Sequence, residues 1–131
     1  MVTGVQAERL SEIWPSAEPL IAKAMTATDS VDVIFKRLQE DDAQLWAIFE
    51  HGVLIAAVIT EIITGDDGSK VCNIVAAGGY GINRWVDYAA MIEDWARESE
   101  CTAVIVDHAR RGLQRILTGY KVTHVTLGKA L

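Results

Sequence analysis

Six consecutive residues, Ala76-Ala77-Gly78-Gly79-Tyr80-Gly81, join a run of β-branched apolar residues to a long amphipathic pattern. Backbone amides that open a helix, unobstructed by side chains, suit an anion such as a cofactor phosphate. The same glycines also serve a tight turn that binds nothing. Spacing alone leaves both readings open, and Tyr80 is either a ligand contact or an exposed loop aromatic. A second cluster is basic: Arg110, Arg111 and Arg115. Arg111 and Arg115 are four residues apart, on one helix face, where a local positive field would hold an anionic nucleotide tail or simply meet solvent. His51, beside Gly52, reads as a solvated turn residue, and His124 as a hydrogen-bonded strand residue. Cys72 and Cys101 lack the paired spacing of a zinc site, so no metal is expected.

The elements that must position these residues follow from periodicity. Leu10, Ile13, Trp14, Ala17, Leu20 and Ile21 recur at helical spacing, and Pro15 and Pro19 predict a split into two short helices. Thr28, Asp29 and Ser30 can cap a further helix with Val31, Ile34, Phe35 and Leu38 as its apolar stripe, ending near Glu40. Leu45–Phe49 and Val53–Ile63 are rich in strand formers and flank His51-Gly52, which predicts a hairpin. Gly65–Ser69 is a second turn, and Val71–Val75 a third antiparallel strand before the glycine turn. A helix from Asn83 to about Ser99 then leads to a buried strand, Thr102–Val106, an order that gives a parallel pair joined by a right-handed crossover. Arg110–Leu117 reads as a helix stopped by Gly119, and Tyr120–Leu127 as one last strand.

Composition bounds the rest. A chain of 131 residues that is 50% hydrophobic, with 4 Trp, is expected to be one packed domain spanning residues 1–131. Trp14, Trp46, Trp85 and Trp95 fall at core-like positions, where packing explains them better than base stacking. Eighteen acidic against twelve basic residues give a formal charge of −6, which argues against nucleic acid and anionic membranes as partners. No apolar run is long enough for a membrane span or a secretion signal. The expectation is a soluble protein that is not secreted.

The order of helix, helix, three antiparallel strands, glycine turn, long helix, strand, helix and strand resembles the GNAT acetyltransferase superfamily. Local signatures are similar to small GNAT-like proteins of tailed phages. They include Gln44-Leu45-Trp46, Val58–Ile62, Gly78-Gly79 followed by Arg84-Trp85, Ile92–Arg97 with Cys101, Arg111-Gly112, Gly119-Tyr120 and the closing Leu127–Leu131. These cover most of the chain.

The resemblance implies an α/β (α+β) fold: a mixed sheet with antiparallel N-terminal strands, a splayed parallel central pair and flanking helices. It further implies acetyl-CoA as cofactor, in a cleft where the strand before the glycine turn parts from the next one. Val75, Ala76, Ala77, Gly78, Gly79, Tyr80 and Gly81 would line that cleft, with Arg111 and Arg115 beside the nucleotide. Gly79-Tyr80-Gly81 matches the second half of the superfamily's phosphate loop, whereas Ala76 stands where an Arg or Gln is usual. Arg115 stands where many members carry a tyrosine that donates a proton, a task an arginine does not perform. Glu61 and His108 are the candidate bases for deprotonating an amine. Two roles follow: an acetyltransferase acting on a small-molecule or protein amine, or a catalytically inactive GNAT-fold component of a phage particle that contacts other virion proteins. The setting would be host cytoplasm or virion, and a homo-oligomer is compatible with both.

Overall fold

A computed structural model of the chain describes residues 2–24, 31–79, 89–107, 121–123 and 126–131. Among these, seven strands form one sheet in the order β1-β2-β3-β4-β5-β7-β6. The strands are β1 (Val2–Val5), β2 (Gln44–Glu50), β3 (Val53–Thr64), β4 (Lys70–Gly79), β5 (Cys101–Asp107), β6 (Lys121–Thr123) and β7 (Thr126–Ala130). Helices α1 (Leu10–Ala24) and α2 (Val31–Gln39) cover one face, and α3 (Ala89–Glu98) covers the other. This is the mixed α/β sheet with flanking helices that the sequence leads one to expect.

Each face has its own core. Alternation along the strands sends Leu45, Ala47, Ala57 and Ile59 toward α1 and α2, and Trp46, Ile48, Ala56 and Val58 toward α3. With both faces covered, β3 is buried without a break from Ala56 to Thr60, which explains why its sequence is almost continuously apolar. On the α3 side Ile92 and Ala96 pack onto Cys72, Ile74, Val104 and Val106. Trp14 meets Phe35 edge to face at 5.1 Å, joining α1 to α2.

The β2–β3 hairpin has the expected two-residue loop. Glu50 pairs with Val53, and His51 and Gly52 adopt φ of 52° and 77°, the pair of positive values that matches strand twist. In the next turn Gly65 and Ser69 close a loop in which Asp67 Oδ1 accepts from the Ser69 amide at 3.0 Å and its hydroxyl at 2.6 Å. α3 ends with Glu100 in the left-handed region at φ 68°, a common helix stop.

Two expectations need correction, and one strand falls where the sequence reading assigns no element. Pro15 and Pro19 do not divide the first helix, which runs unbroken from Leu10 to Ala24. Both prolines are exposed, so the carbonyls they leave unpaired face water, while Leu10, Ala17, Leu20 and Ile21 on the opposite side are held in the core. The N-terminal residues Val2–Val5, not expected to be a strand, pair antiparallel with Leu45–Ile48 and extend the sheet. Finally, the stretch read as one strand from Tyr120 to Leu127 holds parts of two, Lys121–Thr123 and Thr126–Ala130, which pair antiparallel, and β7 lies antiparallel beside β5.

Candidate functional site

The feature that distinguishes the centre of the sheet is a bulge in β4. Ile59 pairs with Ala76 and Thr60 with Ile74, so Val75 is an extra residue without a partner of its own. A bulge bends its strand and increases the local twist. It also puts Val75 and Ala76 on the same face, both packed on the α1/α2 side, and restores alternation with Ala77 on the α3 side.

Among the described residues β4 and β5 run parallel from Lys70/Cys101 to Ile74/Val106, with no pair beyond these. The last shared pair lies immediately before the bulge. Beyond it Ala76–Gly79 pair, among the described residues, with β3 alone, and β5 continues to Asp107 paired with β7. Beyond that last described pair β4 continues as Val75, Ala76, Ala77, Gly78 and Gly79 without a β5 partner among the described residues, and this end of the parallel pair is the fork between β4 and β5. Burial declines along this stretch, from Ala76 in the core to Gly79 at the surface.

Ala76–Gly79 were expected in a turn, and the structure corrects this: they are strand residues in register with Ala56–Ile59. Gly79 has a packing reason. A Cβ there would fall 2.6 Å from Ala56 Cα and run into the Ile55 carbonyl oxygen, so the close approach of β3 requires glycine. Tyr80, Gly81, His108, Arg111 and Arg115 lie outside the described residues. By chain order His108 directly follows Asp107, the end of β5.

Glu61 sits on β3 opposite Asn73 of β4, two residues before the bulge. Its Oε2 accepts from Arg37 Nη2 at 2.8 Å, and its Oε1 from Asn73 Nδ2 at 3.4 Å. Arg37, near the end of α2, also donates through Nε to Asp42 Oδ2 at 2.9 Å and through Nη2 to the Asp42 carbonyl at 3.3 Å. Burial alone would lower the Arg37 pKa, but the hydrogen bonds to Asp42 and Glu61 outweigh it and raise it. Asn73 is buried, and its Oδ1 has no hydrogen-bond partner among the described residues. Neither Arg37 nor Asn73 carried a sequence signal. Their partners are 24 and 12 residues away in the chain, and only the fold brings them together.

A groove of about 320 Å³ lies beside this network, lined by Asp41, Gln44, Thr60, Glu61 and Trp95 among others. A second of about 380 Å³ is lined by Thr3, Gln6, Arg9, Ile13 and Phe49 with their neighbours. Cys72 and Cys101 are buried free thiols. Burial, with smaller contributions from Cys101 and Glu61, pushes Cys72 up to about 12. Among the described residues no group of three or more His, Cys, Asp or Glu could hold a metal ion. No described helix is long and apolar enough to cross a membrane.

No protein-family model and no curated protein matches the sequence. Solved structures do match in shape. The NatC complex bound to Gag peptide and CoA superposes with a TM-score of 0.76 at 11% identity, covering 100% of this chain and 98% of that one. A predicted acetyltransferase with acetyl-CoA from Clostridium acetobutylicum gives 0.66 at 12% identity, covering 95% and 91%. A GNAT family acetyltransferase of Staphylococcus aureus gives 0.66 at 14% identity, covering 94% and 92%. The chain therefore has the fold of the GNAT acetyltransferases. At these identities the likeness speaks for fold, and the chemistry has to be argued from the site.

Proposed function

We propose that this chain binds acetyl-CoA in the fork between β4 and β5 and transfers the acetyl group to an amine. The observation that carries this reading is the coincidence of the Val75 bulge with the last β4–β5 pair, Ile74/Val106. Backbone that loses its strand partner leaves donors and acceptors that something else must satisfy. The wall of small residues from Val75 to Gly79 gives a slender acyl-pantetheine arm room to approach them. The neighbours solved with acetyl-CoA and with CoA support the same ligand class.

Bound acetyl-CoA would supply an activated acetyl group, and the chain would hold it and receive the proton that the amine gives up. Both Glu61 oxygens are engaged by Arg37 and Asn73, which favours His108, next to the end of β5, as the proton acceptor. Tyr80 and Gly81 would meet the phosphates, and Arg111 and Arg115 the nucleotide. Calorimetric titration with acetyl-CoA tests the reading. We expect a saturable heat and a raised melting temperature; neither effect at millimolar ligand would remove it.

A second reading is a GNAT-fold protein without catalysis, such as a phage particle component in contact with other virion proteins. Ala76 and Arg115 favour it, since functional side chains are usual at those positions in the family. The phage-type assignment, a host-cytoplasm or virion setting and any self-association rest on the sequence signatures. Acetyl-CoA binding without release of free CoA across a panel of small-molecule and peptide amines would select this second reading.

A further inference from the structure

We propose that the Arg37–Glu61–Asn73 chain keeps the bulge of β4 from moving to Asn73 or nearer the start of the strand, and hence limits how deep the fork between β4 and β5 runs. Its consequence for ligand binding rests on the acetyl-CoA reading; the structural claim does not.

A bulge can sit at any step of a ladder unless something specifies its position. Around Val75 most of the paired side chains are apolar: Ile59 with Ala76, Ile62 with Cys72, Ile63 with Val71. Exchanging one such pairing for another costs little. Glu61 opposite Asn73 is different. If the extra residue moved from Val75 toward the start of β4, to Asn73, then Ile74 would come opposite Glu61, and the carboxylate would lose Asn73 Nδ2 in a half-buried setting. Placing a charge against an isoleucine is strongly unfavourable. Arg37 reinforces the arrangement by holding the other Glu61 oxygen, and is itself anchored to Asp42 beyond the end of α2.

The network is not explained by stability alone. Asn73 Oδ1 is buried with no partner among the described residues, so its desolvation is not compensated by a hydrogen bond there. A β-branched apolar residue at 73 would avoid that cost. Retaining a polar pair in mid-sheet makes sense where it selects one register over its neighbours, a known use of buried polar groups. Arg37, Glu61 and Asn73 are thus positioning residues. They act on the fork through β4.

Amide hydrogen exchange on the full chain tests this. In E61L we expect exchange in residues 75–79 to accelerate about tenfold, with less than about twofold change in β2, residues 44–50. E61Q, which can still pair with Asn73, should stay within about twofold of wild type in both segments. R37A, which keeps the carboxylate, should fall between the two and serves in place of E61L if that variant does not fold. Equal acceleration in β2 and β4, or no acceleration in residues 75–79, would overturn the proposal. In parallel, the acetyl-CoA dissociation constant should rise about tenfold in E61L and return near wild type in E61Q. Wild-type protein that binds no acetyl-CoA would remove the functional reading, while the exchange data would still decide whether the network pins the bulge.

Discussion

Trp46 donates its indole N–H to Thr60 Oγ1 at 2.9 Å across the β2–β3 pair, in a position where Thr60 is fully buried. The same indole meets Trp95 of α3 edge to face, ring centroids 5.3 Å apart. One side chain thus links two strands to the helix behind them. Thr60→Val keeps the β-branched shape but leaves the buried N–H unpaired. We expect a loss of about 1–3 kcal/mol in urea unfolding, and Thr60→Ser to recover much of it. Equal stability of Thr60→Val and wild type would mean that the indole finds another acceptor.

Gly79 should tolerate no side chain. Because the obstruction comes from the backbone of Ile55 and Ala56, it cannot be relieved by a rotamer change. Gly79→Ala is expected to destabilise by about 1–3 kcal/mol and to weaken acetyl-CoA binding by displacing the wall of the fork. Gly52→Ala is a useful contrast. Nothing lies within 4 Å of a Cβ there, and its cost comes from φ alone at +77°. If Gly79→Ala melted with wild type while Gly52→Ala did not, the β3–β4 contact would be soft enough to admit a methyl group.

Much of this architecture is legible in the chain because local preference and burial agree. His51-Gly52 between two β-rich runs yields a two-residue hairpin, and Ile34, Phe35 and Leu38 yield a helix with those residues inward. Where the two conflict, burial decides. Pro15 and Pro19 argue for a break, yet core packing of Leu10, Ala17, Leu20 and Ile21 carries the helix through. Val2–Val5 is too short, with Gly4 in its interior, to register as a strand until β2 offers it a partner. Of the site, the apolar run and the glycines were visible, but the extra residue at Val75 was not. A bulge is a mismatch between two strands, and one strand's residues do not encode it. The Arg37–Glu61 pair was hidden for the same reason.

The prolines themselves can be tested. Each removes one helical hydrogen bond and crowds the preceding turn, and neither packs in the core. Pro15→Ala or Pro19→Ala should therefore stabilise the chain by about 1–3 kcal/mol, read from the urea midpoint at constant slope. Destabilisation by either substitution would show that the ring makes contacts that outweigh the missing bond.

Cys72 makes the alkaline side of the stability curve predictable. A thiol whose pKa is raised on folding, from 9.0 to about 12, binds its proton more tightly in the native state. Its contribution is intact below pH 9 and is lost as pH rises from the unfolded value toward the folded one. Thermal melts should thus decline between pH 9 and 12, and Cys72→Ala should flatten that decline despite lowering stability at neutral pH through the cavity it leaves. The native thiols should resist an aromatic disulfide reagent at pH 8 and react at once in denaturant. Rapid labelling of the folded chain at Cys72 would contradict its burial.

The choice of proton acceptor can be resolved by pH profiles of turnover. If His108 accepts the amine proton, His108→Ala should lower kcat by about 10²–10⁴-fold and remove the acidic limb of the pH–rate profile. Glu61→Gln should retain that acidic limb, since its carboxylate is engaged by Arg37 Nη2 at 2.8 Å and by Asn73. In Glu61→Leu, by contrast, the loss should fall on KM for acetyl-CoA more than on kcat, as expected of a side chain that shapes the site without touching the reacting atoms. The reverse pattern, with the limb lost in Glu61→Gln and kept in His108→Ala, would make Glu61 the base and would require the Arg37 pair to open during each turnover.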